Sequence, residues 1–352
     1  MKPVYILALF VSAFILTACG GGGSPFVPEP LTTTIAGARD AANRIPASEE
    51  VRSTFDGTDV VLTVTRQDRS TLTLDSSQHV VTEHDPNQTD RAGRPRIHSR
   101  ITDQGAGSIT TATVDVSWGN DDFSDYTAGG WWIHIEGERK ANPIPSGRVE
   151  DAFETITSVE VGAFMDGPEF MGTPVLPELG TATYNGETRG LFVSLITEPD
   201  AMVIAGLPFA IRQYGEYMGD VTFTADFSDM TIAGVVDNIS LAGDIVMAVD
   251  NTFVTKFAAP STYRADLLEL PIRPDGTFSG SGVEITNPHR DIVSSEGSWS
   301  GKFSTLADSN DVSRLVGGTA GGSFRTANDS EVVFIGPFYG VTPQFRTDVA
   351  SQ

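Results

Sequence analysis

The chain has 352 residues, 39% hydrophobic and 20% charged, which excludes a disordered tail and a helical membrane bundle and leaves room for about two domains. Lys and Arg total 23 against 46 Asp and Glu, a formal net charge of −23, which argues against a surface built to neutralise nucleic-acid phosphates or anionic lipid. A single cysteine excludes an intrachain disulfide and a cysteine-based structural zinc site.

Met1-Lys2 gives a positive start, and Val4 to Leu16 is apolar apart from Ser12, a run shorter than the ~20 residues that span a bilayer. It reads as the core of a signal peptide. The following Leu16-Thr17-Ala18-Cys19-Gly20 resembles the lipobox of bacterial lipoproteins. That resemblance implies removal of residues 1–18 as a signal peptide and lipid attachment at Cys19, with palmitate among the expected acyl groups. An ordinary secretory signal that ends in cysteine is the alternative. Gly20 to Ser24 is a flexible stretch and Pro25 to Pro30 a stiffer one, so residues 19–45 read as a tether, with a short helix expected over Thr34 to Arg44. By the same resemblance, Gly20 rather than Asp after the cysteine implies onward transport to the outer membrane.

Residues 46–178 read as a small sheet-rich domain. Val60 to Thr65, Ser70 to Leu74 and Val80 to Thr82 are short β-branched runs between polar turns, Ser108 to Trp118 alternates, and Trp131 to Glu136 is a further strand candidate. Gly147 to Thr155 is expected to form a turn or two of helix. Trp131 and Trp132 are adjacent, so on a strand they face opposite sides, and either is a candidate ligand contact or a packing residue. Phe170 is a third candidate, at the end of a turn over Met165 to Glu169.

From residue 179 to 345 glycine, small residues and aromatics alternate. Val221, Phe223, Ala225 and Phe227 share one face, with Thr222, Thr224 and Asp226 on the other, and the chain turns at Ser228-Asp229. Met230 to Asp237, Gly276 to Gly282, Gly297 to Phe303, Gly317 to Phe324 and Ser330 to Phe338 continue the pattern. The expected fold is all-β, a handle-like sheet domain followed by an eight-stranded antiparallel up-and-down barrel, with a sandwich as the alternative.

Several of these segments, in series behind a lipobox, resemble the barrel domain of the transferrin-binding protein B-like surface lipoproteins of Gram-negative bacteria. They are Gly180 to Gly186, Asp226-Phe227 with Ile232-Ala233-Gly234, Gly276 to Gly282, Gly317 to Phe324 and Val332-Val333-Phe334. The likeness covers roughly residues 179–340, and the preceding segment takes the place of a handle domain. The family's name-giving member has two handle-and-barrel lobes, whereas this chain has room for one. The resemblance implies a lipid-anchored binding module, exposed at the cell surface, for a host or environmental protein or solute, with a possible link to a nutrient (iron) uptake system.

Catalytic motifs are absent from the sequence. Gly297-Ser298-Trp299-Ser300-Gly301 has tryptophan where a nucleophile elbow needs serine, and no phosphate-cradling glycine motif occurs. His79 and His84 lack helical metal-ligand spacing, and Asp308-Ser309-Asn310-Asp311 lacks the glycine and closing glutamate of a calcium loop. The chain therefore reads as a non-enzyme without metal, cofactor or nucleic-acid partner. Two alternatives stay open: an extracytoplasmic glycan hydrolase using paired carboxylates in a handle–barrel cleft, and a structural envelope lipoprotein.

Overall fold

In a computed structural model, residues 51–66, 69–81, 88–90, 93–141, 153–196, 202–203, 210–243, 261–307, 312–327 and 331–342 are described. Cys19, the tether and the expected helix over Thr34 to Arg44 lie outside them, as do His84 and residues 308–311.

The described strands of the first half form two sheets. The smaller is β1 (Val51–Phe55), β2 (Val60–Thr65) and β3 (Thr71–Asp75), in the order β1-β2-β3. The larger contains β4 (Val80–Val81), β5 (Gln88–Thr89), β6 (Pro95–Gln104), β7 (Ser108–Ser117), β8 (Thr127–Arg139) and β9 (Phe153–Asp166), in the order β4-β6-β7-β8-β9 with β5 also on β6. Val51, Val60, Leu62 and Val64 on the small sheet alternate inward and meet Ile97, Ile101, Val114, Trp132 and Phe164 of the large one in a shared apolar core. Polar ties fasten the layers: the Ser53 backbone N–H donates to Asp166 at 2.7 Å, and Arg66 pairs with Glu160 at 2.7 Å. The helical expectation for Gly147 to Thr155 is corrected where the chain is described, because Phe153 to Thr155 open strand β9 against β8. The pairing edge of β8 overrides a local charge spacing that resembles a helix face.

The second half is a barrel. Its strands are β10 (Thr181–Ile196), β11 (Met202–Val203), β12 (Ala210–Asp226), β13 (Thr231–Gly243), β14 (Arg264–Pro271), β15 (Thr277–Ser281), β16 (Val283–Thr286), β17 (Ile292–Phe303), β18 (Leu315–Thr326) and β19 (Glu331–Val341). All the pairings are antiparallel along the path β15-β17-β18-β19-β10-β12-β13-β14-β16, with β11 on β12. The path holds nine strands where eight were expected, and the difference has a local cause. Gly282, at φ +121°, splits one extended run into β15, which pairs with β17, and β16, which pairs with β14. Its N–H donates to Gly297 O and its carbonyl accepts from Leu268 N, so the bend brings the two ends of the path together. That positive φ favours glycine, and an added Cβ would lie 2.9 Å from that of Leu268.

Every described strand pairing lies within residues 51–166 or within 181–341. Between them, Gly167 at φ +134° leads into a short 3-10 turn, Pro168–Phe170. The handle leans on the outer wall of β10, β18 and β19 through β8 and β9.

Candidate functional site

Strand alternation sends one set of barrel side chains inward, and these fill the two ends differently. At one end Tyr184, Phe223, Phe278, Trp299, Phe303 and Phe338 are all buried and pack ring on ring. Phe223 lies 4.8 Å from Phe338 and Phe278 lies 5.2 Å from Trp299 between centroids. The polar atoms of this plug are satisfied locally, Trp299 Nε1 by Leu268 O at 3.1 Å and Tyr184 Oη by Ser313 O at 2.9 Å. Toward the other end the inward residues are branched or small. Val236, Leu241, Ala265, Leu267, Val283, Ile285 and Ala320 leave a cavity of about 300 Å³, with Phe338 as its floor and Phe192, Phe324 and Phe334 in its walls. That is the lower end of the range for small-molecule sites.

The hydroxyls of Thr188 and Ser261 in the cavity lining are engaged with the chain itself. Thr188 Oγ1 donates to Pro337 O at 2.6 Å, and Ser261 Oγ to Ile239 O at 2.5 Å. Tyr217 bonds to the Thr188 side chain, and burial pushes its phenol well above the ordinary range, so it stays neutral. Tyr217 fits because Gly190 and Gly336 flank it: a Cβ on either would come within 2.7 Å of its ring or its hydroxyl. At the rim, exposed Arg290 in the turn from β16 to β17 donates to Tyr263 Oη at 3.2 Å. The Tyr263 ring is 5.4 Å from that of Phe324.

A second constellation lies at the seam between handle and barrel. Arg96, His98 and Arg100 alternate along one face of β6, while Ile97 and Ile101 face the apolar layer. Arg100, Thr113 and Trp131 stand opposite one another across β6, β7 and β8, and all three reach Glu216 of β12. Arg100 Nη2 donates to it at 2.5 Å, Trp131 Nε1 at 3.1 Å, Thr113 Oγ1 at 3.3 Å, and Arg189 Nη2 of β10 at 3.1 Å. Although burial opposes the charge, Arg100 and Arg189 hold the Glu216 carboxyl down at about 2. One rung along, Asp115 contacts Arg96 at 2.9 Å and His98 Nδ1 at 2.6 Å, and although burial opposes its charge, the Arg96 guanidinium foremost holds it well below the usual carboxylate range. Arg96 also pairs with Glu187 of the barrel. Beside this, buried Arg94 is shared between Asp90 at 2.8 Å and Glu169 at 3.0 Å. Burial pushes Glu169 up to about 7, outweighing Arg94 and the Thr127 hydroxyl that donates to it. The seam encloses only about 30 Å³ of space, the volume of about one water.

The sequence-derived candidates fall inside this framework. Trp131 and Trp132 face opposite sides of β8, as adjacency requires, but both are buried, at 0% and 2% exposure. Trp131 closes the seam and Trp132 fills the apolar layer of the handle, the packing roles that were the alternative to ligand contact. Phe170 is half-buried, with its ring against Gly317 on the outside of β18. Cys19 lies outside the described residues. His79 Nδ1 accepts from the Asp75 backbone N–H at 3.0 Å. Sequence reasoning missed the cavity residues and the whole of β6, although the alternation of Arg96, His98 and Arg100 with Ile97 and Ile101 is visible in the sequence.

No protein-family model matches the chain, and a search of curated proteins found no match.

Proposed function

We infer that this chain is a lipid-anchored outer-membrane lipoprotein, displayed at the surface, that binds an apolar solute inside its barrel. The observation that carries the reading is the unequal filling of the barrel: aromatic rings close one end and an apolar cavity of about 300 Å³ occupies the other. A barrel packed only for stability gains from filling such a space, because each buried methylene contributes about 0.8 kcal/mol. The lipobox-like Leu16 to Cys19 supports the anchor, and the resemblance of residues 179–340 to surface lipoprotein barrels supports display. Of the two ligand classes considered, the cavity favours a solute over a protein. None of its described lining residues is Asp, Glu, His or Cys, and its two tyrosines are engaged, Tyr217 with Thr188 and Tyr263 with Arg290, so a role in nutrient capture would concern an apolar compound. The glycan-hydrolase alternative needs a cleft at the seam that admits a sugar ring, and its principal carboxylates, Asp115, Glu169, Glu187 and Glu216, are each held by an arginine.

A neutral solvatochromic dye tests the reading. The chain from Gly20 onward should bind it with a blue-shifted emission, and Ala320→Phe, which fills the cavity from β18, should lose the signal with its thermal melt preserved. Equal dye binding by a folded Ala320→Phe variant would remove the cavity as the site.

A further inference from the structure

We propose that the cavity takes a single-chain carboxylate amphiphile, its hydrocarbon chain inside the barrel and its carboxylate at the rim on Arg290 and Tyr263. The proposal rests on the cavity reading above and adds the chemistry of the ligand.

Three features define that chemistry. The first is capacity: an apolar cavity of about 150 Å³ accommodates one benzene, and at roughly 30 Å³ per methylene, close to the volume of a water, this one holds about ten carbons. Its about 300 Å³ therefore suits one medium-length chain and excludes a two-chain lipid. The second is polarity with depth. Thr188, beside the floor, directs its hydroxyl proton to the Pro337 carbonyl and Tyr217 is paired with Thr188, so the depth of the cavity presents hydrocarbon to a ligand. A polar head placed there would lose its hydration without replacement, which orients any amphiphile tail first.

The third is the rim. Arg290 is the only charged side chain among the described lining residues, and it stands exposed at the mouth. Its Nη1 is 3.2 Å from Tyr263 Oη and its guanidinium carbon 5.8 Å from the Tyr263 ring centre, so an aromatic partner holds it over the opening. A guanidinium has five N–H donors, and the bond to Tyr263 uses one. The remaining fork fits a carboxylate in the two-point geometry that arginine favours. The chain as a whole carries a net charge of −23, which would repel an anion, so a cation at this mouth gives local selectivity against the overall field.

Calorimetric titration of the chain from Gly20 onward at 0.15 M salt, with decanoate, decanol and decylamine, tests both levels. Decanoate should bind tightest, with affinity falling about fourfold for each methylene removed from its chain. Arg290→Ala should weaken decanoate about tenfold and leave decanol unchanged, while Arg290→Lys recovers part of the loss. Ala320→Phe should abolish binding of all three, and because a filled core can misfold, Ala265→Val is to be run beside it with a thermal melt for each. Equal affinity for decanoate and decanol, unaffected by Arg290→Ala, would overturn the head-group assignment and leave the cavity reading intact. Preference for decylamine would overturn the assignment in favour of a cationic ligand. Binding of none of the three by folded protein would overturn this proposal, and failure of the neutral dye as well would bring down the cavity reading with it.

Discussion

Replacing Glu216 by glutamine is the sharpest test of how handle and barrel are joined. In the folded chain the carboxylate is 1% exposed and accepts from Arg100, Arg189, Trp131 and Thr113. Its pKa falls from 4.5 to about 2, which at about 1.4 kcal/mol per unit corresponds to about 3 kcal/mol of stability at neutral pH. Glutamine keeps one oxygen for Trp131 but removes the negative charge that the buried Arg100 guanidinium, 2% exposed, pairs with. Arg189, 15% exposed, has access to water and softens the loss. The expected destabilisation is about 3 kcal/mol, inside the range of about 3–5 kcal/mol for breaking a buried ion pair, and roughly 6–12 °C in melting temperature. Because the folded pKa is depressed, this contribution is complete above pH 4.5 and is lost as pH falls toward about 2. Urea denaturation of parent and variant at pH 7 and pH 3 measures it: the gap should be largest at pH 7 and shrink in acid. A gap below about 1 kcal/mol at pH 7, or one that widens in acid, would refute the account of a buried, charge-compensated seam.

Glu169 should behave with the opposite sign: its folded pKa is raised from 4.5 to about 7, so protonated Glu169 contributes stability below pH 4.5 that is lost as pH rises through 7. Glu169→Gln should therefore gain on the parent between pH 4.5 and pH 7 in urea melts, and a gap that stays flat would show that Arg94 holds the carboxylate ionised after all. Trp132→Ala should cost about 3–5 kcal/mol by emptying the apolar layer between the two handle sheets, and Trp131→Phe only about 1 kcal/mol, through the lost bond to Glu216; similar costs by thermal melting would contradict the placement of the two rings. A fragment from Leu179 to the C-terminus should fold and melt cooperatively below the intact chain, since its strands close on themselves through β10 and β19; a far-UV spectrum of unfolded chain would show that the seam is required for folding. Cys19→Ser should abolish incorporation of a radiolabelled fatty acid in cells, and label retained by the variant would end the lipoprotein reading.

The barrel was largely legible in the sequence because much of its outer wall is polar and its inner face is not. Val221, Phe223 and Ala225 alternate with Thr222 and Thr224 for that reason, and the structure places the first three inside and the threonines outside. The split at Gly282 was not legible, since a positive φ follows from closing the barrel and leaves no mark in a run already rich in glycine. Strand β6 was missed for a different reason: it is buried on both faces, and the inward charges Arg96 and Arg100 read as surface residues until Asp115 and Glu216 are placed opposite them. In β14, Leu267 and Leu268 are neighbours and the register slips between Ile232 and Gly234, so the period of two is broken. The cavity could not be read at all. It is a shortage of side-chain volume, produced when Ala265 and Ala320 come to line one space from sequence positions far apart.

Seam and cavity lie on opposite faces of the same strands. Glu187, Glu216 and Pro337 face the handle, and the next residue in each case, Thr188, Tyr217 and Phe338, lines the cavity. One peptide unit therefore separates the ion pairs from the cavity wall, and Thr188 bonds across to the carbonyl of Pro337. The handle braces this side of the barrel, which is why a polar, charge-compensated contact can matter to an apolar site it never touches. A weakened ligand affinity in a seam variant would consequently report on the wall. Arg290, in the β16–β17 turn, and Ala265, on β14, lie away from the strands the handle covers, so substitutions there isolate the proposed contact with a ligand.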